Sequence, residues 1–285
     1  MPGYDADSAR SGAVPEILPP ESGYGPPPRP VRPQRSRWAV APATNILVGI
    51  NCAVFLLMTL SGVSPIRPTT ENLFFWGADH TGAVLIGSQW WRIVTAMFVH
   101  GGILHLGVNM WCLWNLGMLA EPLMGTLGVF AVYILTGAAG DLLSTCYNWF
   151  FPIHVGGTII YPVGVGASGA VFGIAGALIV LLKSHRLPVP PREIKSLRKS
   201  VIYFAVINLV LGFGINAGSS VFGTGILVDN MAHLGGFSSG LLFALPMRPR
   251  IGTPRKSFDF RLRIAIAMVT GILVLFGFFL AQLPK

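Results

Sequence analysis

The chain has 285 residues, of which 52% are hydrophobic and only 11% are charged. A soluble domain carries about 25% charged residues, so a chain this poor in charge must be solvated mostly by lipid. The net charge of +9 does not indicate nucleic acid binding, because the basic residues lie between apolar segments rather than in one patch. The composition therefore predicts an all-α polytopic membrane protein.

Residues 1–40 are rich in Pro, Gly, Ser and Arg, and they contain no apolar stretch of signal-peptide length. The Pro-Arg run at 26–33 predicts an extended, solvated backbone, with an SH3-type ligand as the alternative. We interpret this segment as a disordered cytoplasmic tail.

Seven stretches after the tail approach the roughly 20 apolar residues that a helix needs to cross a bilayer. They are residues 43–60, 102–120, 125–147, 164–182, 201–218, 227–246 and 264–282. The predicted organisation is a six-span core over 41–246, a basic cytoplasmic linker over 247–263 and an extra transmembrane helix over 264–285.

The basic residues orient these spans. If the tail is cytoplasmic, 17 of the 20 Lys and Arg residues fall on the cytoplasmic side: five in the tail, six in 183–200 and six in 247–263. The exceptions are Arg67, Arg92 and Lys285. This bias predicts seven crossings, with the N-terminus inside and the C-terminus outside.

This orientation places polar residues of three spans at a similar depth below the outer face: His105, Ser168 and His233. His105 and Asn109 are four apart, so they share one helical face. Glycines follow both Ser168 and His233 at spacings that let helices approach closely, which predicts contact between the fourth and sixth spans. Taken singly, each polar residue has a structural explanation, such as a serine bonded to its own backbone or an interhelical clasp.

Together these residues resemble the rhomboid family of intramembrane serine proteases. The resemblance covers about residues 43–246, with the seventh span similar to the extra C-terminal helix of some members. It rests on Trp91-Arg92, on His100, His105 and Asn109, on Gly166-Ala167-Ser168-Gly169-Ala170-Val171-Phe172-Gly173, and on Ala232-His233-Leu234-Gly235-Gly236.

The resemblance implies a Ser–His dyad, with Ser168 as nucleophile and His233 as general base. It implies that His105, Asn109 and the Ser168 backbone N–H stabilise the oxyanion. Asp229 is expected to start the sixth helix rather than to act in catalysis. Six further residues are expected to shape the site: Gly166, Gly169, Phe172 (packed on the His233 ring), Gly236, Gly240 and His100.

The expected activity is cleavage of single-pass transmembrane substrates near the outer face of the bilayer. The alternatives are a client-binding pseudoprotease and a transporter. The G-A-S-G-A run at 166–170 is not the G-x-S-x-G of soluble hydrolases, and there is no H-E-x-x-H zinc motif.

We expect no metal, no organic cofactor and no nucleic acid partner. Because no targeting sequence precedes the core, a bacterial plasma membrane is the expected location, with a eukaryotic secretory membrane as the alternative.

Overall fold

The structure is a computed structural model, and it describes residues 41–184, 187–222 and 228–283. The predicted tail over 1–40 lies outside the described residues. The described chain is largely helical. In chain order the helices are α1 Pro42–Leu60, α2 Thr70–Phe75, α3 Thr81–Leu85, α4 Arg92–Thr95, α5 Ile103–Phe150, α6 Ser168–Leu181, α7 Pro191–Phe222, α8 Asn230–Ala244 and α9 Arg255–Ala281, with a 3₁₀ turn at Ala96–Phe98.

In the described part of the chain, four helical segments are long and apolar enough to cross a membrane by length and composition: α1, α5, Pro191–Asn216 of α7, and α9. Helix α6 is apolar but shorter. In α7 and α9 only 17% of the most apolar window is buried, against 50% in α5. The apolar outer faces of α7 and α9 are therefore available to lipid, whereas α5 contributes more to the core.

Helix α5 bends at Gly125, where φ is 71° and ψ is 166°, and Pro122 lies one turn before the bend. Proline removes a helical hydrogen bond, and only glycine adopts such a positive φ without strain. We call the segments on either side α5a (103–124) and α5b (126–150). They correspond to the predicted second and third spans, but residues 121–124, which lie between those two spans, are helical up to the bend.

Two other helices begin earlier than predicted. Helix α9 starts at Arg255 rather than at 264, and α7 starts at Pro191 rather than at 201. Apolar length marks only the part of a helix in the hydrocarbon core. Lys and Arg are good helix formers, so the basic residues before each apolar stretch extend the helix toward water.

Two short antiparallel strand pairs add to the predicted all-α architecture. β2 (Ile153–Val155) pairs with β3 (Thr158–Ile160) in an exposed hairpin. β1 (Asp79–His80) pairs with β4 (Val163–Gly164), with Asp79 opposite Gly164. This second pair joins the segment between α1 and α5 to the residues immediately before α6.

Helix α1 is held to α5a by Glu121, which is buried. Its carboxylate accepts hydrogen bonds from the backbone N–H groups of Ala43 and Thr44, at 2.8 and 3.0 Å, and from the Thr44 hydroxyl at 2.9 Å. The first N–H groups of a helix have no partner within it, so an acidic side chain from a neighbouring helix can cap them.

Helix α8 lies against both α6 and α5b, and glycines form each contact. A Cβ at Gly236 or Gly240 would overlap the backbone of Gly169 or Gly173 on α6. On the other side, a Cβ at Gly140 of α5b would lie 2.5 Å from the Ala232 carbonyl oxygen. The predicted close packing of the fourth and sixth spans is confirmed, and it depends on backbone contact.

Candidate active site

Ser168 is the first residue of α6, and the chain turns sharply just before it. Gly166 has φ of +115°, and its N–H donates to the Ala96 carbonyl at 3.0 Å. Helix α6 has no side-chain cap, and its first helical bond runs from the Val171 N–H to the Ala167 carbonyl. The backbone N–H of Ser168 therefore lies in an uncapped first turn, where the helix dipole favours negative charge.

His233 lies in the first turn of α8. Asp229 is the N-cap, accepting from the Ala232 N–H at 2.8 Å, and the His233 N–H donates to the Asp229 carbonyl. The expected helix-starting role of Asp229 is confirmed. The helix begins at Asn230, three residues later than the predicted span over 227–246, so His233 lies one turn from its start. Its side chain is buried, and Nδ1 has no hydrogen-bond partner among the described residues.

Phe172 connects the two helices. It lies one turn after Ser168 on α6, and its ring stacks on the His233 ring with centroids 4.3 Å apart and planes 9° from parallel. The predicted packing of Phe172 on His233 is confirmed. A second aromatic, Phe204 of α7, contacts the same phenyl ring with centroids 5.8 Å apart. The His233 ring is therefore held against the first turn of α6.

Ser168 and His233 consequently lie on facing turns of two helices that touch through their backbones. Gly169, next to Ser168, contacts Gly236, three residues after His233. Within the described chain, no hydrogen bond joins the Ser168 hydroxyl to the His233 ring. In ligand-free sites such bonds are often long or poorly aligned, so the arrangement is compatible with proton transfer once a substrate is bound.

His105 and Asn109 of α5a face the turn before Ser168. A Cβ at Gly166 would lie 2.9 Å from His105 Nε2 and 3.7 Å from Asn109 Nδ2. His105 Nδ1 accepts from the Gly101 N–H at 3.3 Å, so neutral His105 carries its proton on Nε2. Asn109 Nδ2 donates one hydrogen to the His105 carbonyl at 3.0 Å and keeps a second. Two side-chain donors therefore lie beside Gly166.

His100 packs against His105 of this group. It is fully buried, its Nδ1 lies 3.3 Å from the Phe98 carbonyl, and its ring meets His105 edge-on with centroids 5.3 Å apart. Burial, and secondly the neighbouring His105, lower the pKa of His100 to about 3. His100 is therefore a neutral ring that packs against one donor of the candidate site.

Sequence reasoning missed a network that holds the start of α8. The Ser144 hydroxyl of α5b donates to Asp229 at 2.5 Å, and the adjacent Thr145 hydroxyl donates to Asp79 at 3.0 Å. Both acids lie beside Gly164, where a Cβ would be 3.5 Å from each. The sequence did contain a signal for this network, because Ser144 and Thr145 are adjacent hydroxyl residues in an otherwise apolar span.

Asp79 and Arg92 organise the segment that precedes α5. Burial is the main cause that raises the pKa of Asp79 to about 7, and nearby Asp229 adds to it. Arg92 is buried, and its Nη1 donates to the carbonyls of Phe74 and Ala78 at 2.7 and 2.9 Å. Its guanidinium also lies 3.9 Å from the centre of the Phe74 ring. These interactions of Arg92 thus all hold the segment before α5.

Metal ligation is not indicated by any cluster in the described ranges, where no three His, Cys, Asp or Glu side chains are grouped as ligands. The three cysteines, Cys52, Cys112 and Cys146, are free thiols. The chemistry that the described residues offer is that of a hydroxyl, an imidazole and nearby N–H donors.

Comparison with known proteins identifies the family of this chain. The family model of the Rhomboid domain matches residues 87–250. The chain is 28% identical over 227 residues to rhomboid protease GluP of Bacillus subtilis (strain 168), which covers 79% of this chain and 38% of GluP. It is 31% identical over 210 residues to rhomboid protease AarA of Providencia stuartii, covering 71% of each chain. It is 30% identical over 185 residues to RHOMBOID-like protein 7 of Arabidopsis thaliana, covering 64% of this chain and 51% of the relative.

The match to AarA therefore extends over most of both proteins, whereas the chain spans less than two thirds of GluP and of RHOMBOID-like protein 7. The family model includes the whole group of residues around Ser168 and His233. This chain is a multi-pass integral membrane protein, and it belongs to the rhomboid family of intramembrane proteases.

Proposed function

We propose that this chain is a serine endopeptidase that cleaves transmembrane protein substrates within the membrane, using Ser168 and His233 as a catalytic dyad. The observation that carries the proposal is the stacking of His233 on Phe172, because it holds an imidazole against the helical turn that Ser168 begins. The names of GluP and AarA, both rhomboid proteases, support the same activity.

In the proposed reaction, His233 takes the proton of the Ser168 hydroxyl as the oxygen attacks the substrate carbonyl carbon. The protonated imidazole then gives that proton to the leaving amine, and the peptide C–N bond breaks. Water, deprotonated by His233, attacks the acyl ester and releases Ser168 with its proton restored. The Asp229 carboxylate already accepts hydrogen bonds from the Ala232 N–H and the Ser144 hydroxyl. This supports a Ser–His dyad in which no carboxylate bonds to His233.

The oxyanion of the tetrahedral intermediate would be bound beside Gly166. The donors are the Ser168 backbone N–H, the His105 Nε2–H and the second hydrogen of the Asn109 amide. Removing one oxyanion donor typically costs about 10²–10³ in kcat. Gly166 has no side chain, so a substrate backbone can approach these donors closely.

We further propose seven crossings, with the N-terminus inside and the C-terminus outside. The seven membrane helices are then α1, α5a, α5b, α6, α7, α8 and α9. The charge bias of the basic residues supports the orientation. The proposed organisation keeps a cytoplasmic tail over 1–40, a six-span core over 41–246, a linker over 247–263 and a seventh helix.

Ser168, His105 and His233 all lie at the starts of helices at one end of the bundle. With the proposed orientation this end faces outward, so cleavage is proposed near the outer face, on single-pass substrates. A bacterial plasma membrane is the proposed location.

The test is labelling with a fluorophosphonate probe alongside cleavage of a model single-pass substrate by the full chain. The wild type should be labelled and should cleave, Ser168→Ala should do neither, and His233→Ala should lose at least most of both. Ser200→Ala is the matched control, because Ser200 is exposed on α7 and bonds only the Ser196 carbonyl.

Labelling that persists in Ser168→Ala would overturn the assignment of the nucleophile. A wild type that binds the substrate but neither cleaves it nor reacts with the probe would be the client-binding pseudoprotease. A folded chain that neither binds nor cleaves the substrate and does not react with the probe would favour the transporter alternative over the protease.

A further inference from the structure

A cavity lies at the opposite end of α5a from the candidate active site. It has a volume of about 600 Å³ and is formed between the bend of α5 at Gly125 and the first three turns of α9. A Cβ at Gly125 would lie 3.5 Å from the side chain of Arg250, and the Arg250 N–H donates to the Leu123 carbonyl at 2.7 Å. The cavity is therefore built by the bend itself.

The charge of this bend cavity is strongly positive. Arg250, Arg255 and Arg263 line it, and Asp259 is its one acidic lining residue, so three positive charges against one negative charge leave a net charge of +2. Arg255 approaches Asp259 at 3.7 Å, but their side chains are 94% and 48% exposed. An exposed ion pair of this kind is weak, so it leaves the arginines free to bind an anion.

Unused hydrogen-bond donors lie at the same place. Helix α9 has no side-chain cap, and its first helical bond is from the Phe258 N–H to the Pro254 carbonyl. Thr253 also lines the cavity, and its hydroxyl oxygen is buried without a hydrogen-bond partner among the described residues. Uncapped N–H groups at a helix start and arginine side chains are donors that bind phosphate oxygens.

Apart from Thr126, the remaining side chains that line the cavity are apolar. Leu127, just after the bend, is 65% exposed and lines the cavity together with Ile266 of α9. Both helices continue from here into the apolar segments that are long enough to cross the bilayer. A ligand in the cavity can therefore place a charged group against the arginines and an apolar chain along α5b and α9.

We propose that the bend cavity binds an anionic phospholipid, with the phosphate of the headgroup held by Arg250, Arg263 and the start of α9. The occupant is a lipid rather than a soluble phosphate because the site joins a cationic pocket to an exposed apolar wall. With the proposed orientation it faces the cytoplasmic leaflet, where anionic lipids attract basic segments. The binding itself does not depend on proteolysis.

The test is native mass spectrometry of the full chain in detergent, titrated with phosphatidylglycerol, phosphatidylcholine or glycerol 3-phosphate. Phosphatidylglycerol should bind in preference to phosphatidylcholine, and glycerol 3-phosphate should compete weakly. Arg250→Gln and Arg263→Gln should each weaken phosphatidylglycerol binding roughly fivefold, the equivalent of about 1 kcal/mol per arginine near a membrane surface.

The matched control is Arg248→Gln, which removes a charge from the same connection without lining the cavity. Equal weakening by Arg248→Gln and Arg250→Gln would mean attraction to a diffuse basic surface, and it would overturn the site. Competition by glycerol 3-phosphate as strong as that by the lipid would overturn the choice of ligand.

A variant that is expected to bind the lipid more tightly is needed as well, because misfolding could only weaken binding. Asp259→Asn removes the acidic residue from the cavity wall, so phosphatidylglycerol should bind several-fold more tightly. Unchanged or weaker binding by this variant would contradict the proposed electrostatic basis.

Discussion

The imidazole of His233 lies flat against the phenyl ring of Phe172, with ring centroids 4.3 Å apart. A stacked aromatic pair contributes about 0.5–1.5 kcal/mol beyond burial, and here it also fixes the plane of the proposed base. We expect Phe172→Ala to reduce kcat/KM for a transmembrane substrate about tenfold, because the ring can rotate away from Ser168. The measurement is steady-state cleavage in detergent, with folding followed by circular dichroism.

Phe172→Tyr is the matched variant, since it keeps the aromatic face. It should retain most of the activity. If Phe172→Ala and Phe172→Tyr were equally impaired, ring stacking would not be the reason for the loss.

The contact between Gly236 and Gly169 leads to a second prediction. Gly236→Ala should separate α6 from α8, because the added Cβ would overlap the Gly169 carbonyl. Overpacking typically costs about 1–3 kcal/mol, which outweighs the gain in helix propensity of about 1 kcal/mol. We expect a lower Tm and nearly complete loss of cleavage.

Gly271→Ala provides the control on α9, where a Cβ at Gly271 would meet no atom within 4 Å. It should leave activity unchanged and raise the Tm slightly. A wild-type Tm and normal cleavage in Gly236→Ala would show that the two helices do not pack as closely as described.

Glu121 is expected to be a main stabiliser of α1. Glu121→Ala removes three hydrogen bonds and leaves buried N–H groups without a partner, at a cost of about 1–3 kcal/mol or more. Thermal unfolding should show a Tm several degrees lower. Glu193→Ala, at an exposed acidic residue in the first turn of α7, should lower it by much less.

Asp79 should make stability depend on pH. Its folded-state pKa is about 7, mainly because of burial, whereas the ordinary value is 3.8. The folded protein therefore keeps a proton that the unfolded chain releases, and stability falls as pH rises from about 4 to 7. Thr145, Asp229 and Arg92 are the groups that modulate this titration.

Asp79→Asn cannot ionise, so its Tm relative to that of the wild type should rise between pH 5 and pH 8. The measurement is thermal unfolding across this range in one detergent. A constant Tm difference would mean that Asp79 does not titrate there.

The apolar stretches and the small-residue spacing were sufficient to predict most helices and the contact between α6 and α8. They could not predict how far α7 and α9 extend, because basic residues continue a helix beyond the hydrocarbon core. The β1–β4 pair was also missed, since two-residue strands leave no periodic pattern. Long-range partners such as Glu121 with Thr44 depend on how distant segments meet, which periodicity does not encode.

Within the candidate site, the family resemblance implied the stacking of Phe172 on His233, and the residue type of Asp229 just before the sixth helix indicated its cap. The network of Asp79 with Thr145 did not, because it joins the segment before α5 to the middle of that helix. The catalytic roles of Ser168 and His233 stay predictions until the labelling experiment is done.

The main-chain contact of Gly169 with Gly236 has one more consequence. With no side chain between the two peptide backbones, no rotamer change can widen or narrow the gap between the helices that carry Ser168 and His233. Substitutions elsewhere in the protein interior can therefore alter the melting temperature while leaving this separation intact. Tolerance of substitution should therefore be very low at the two glycines themselves.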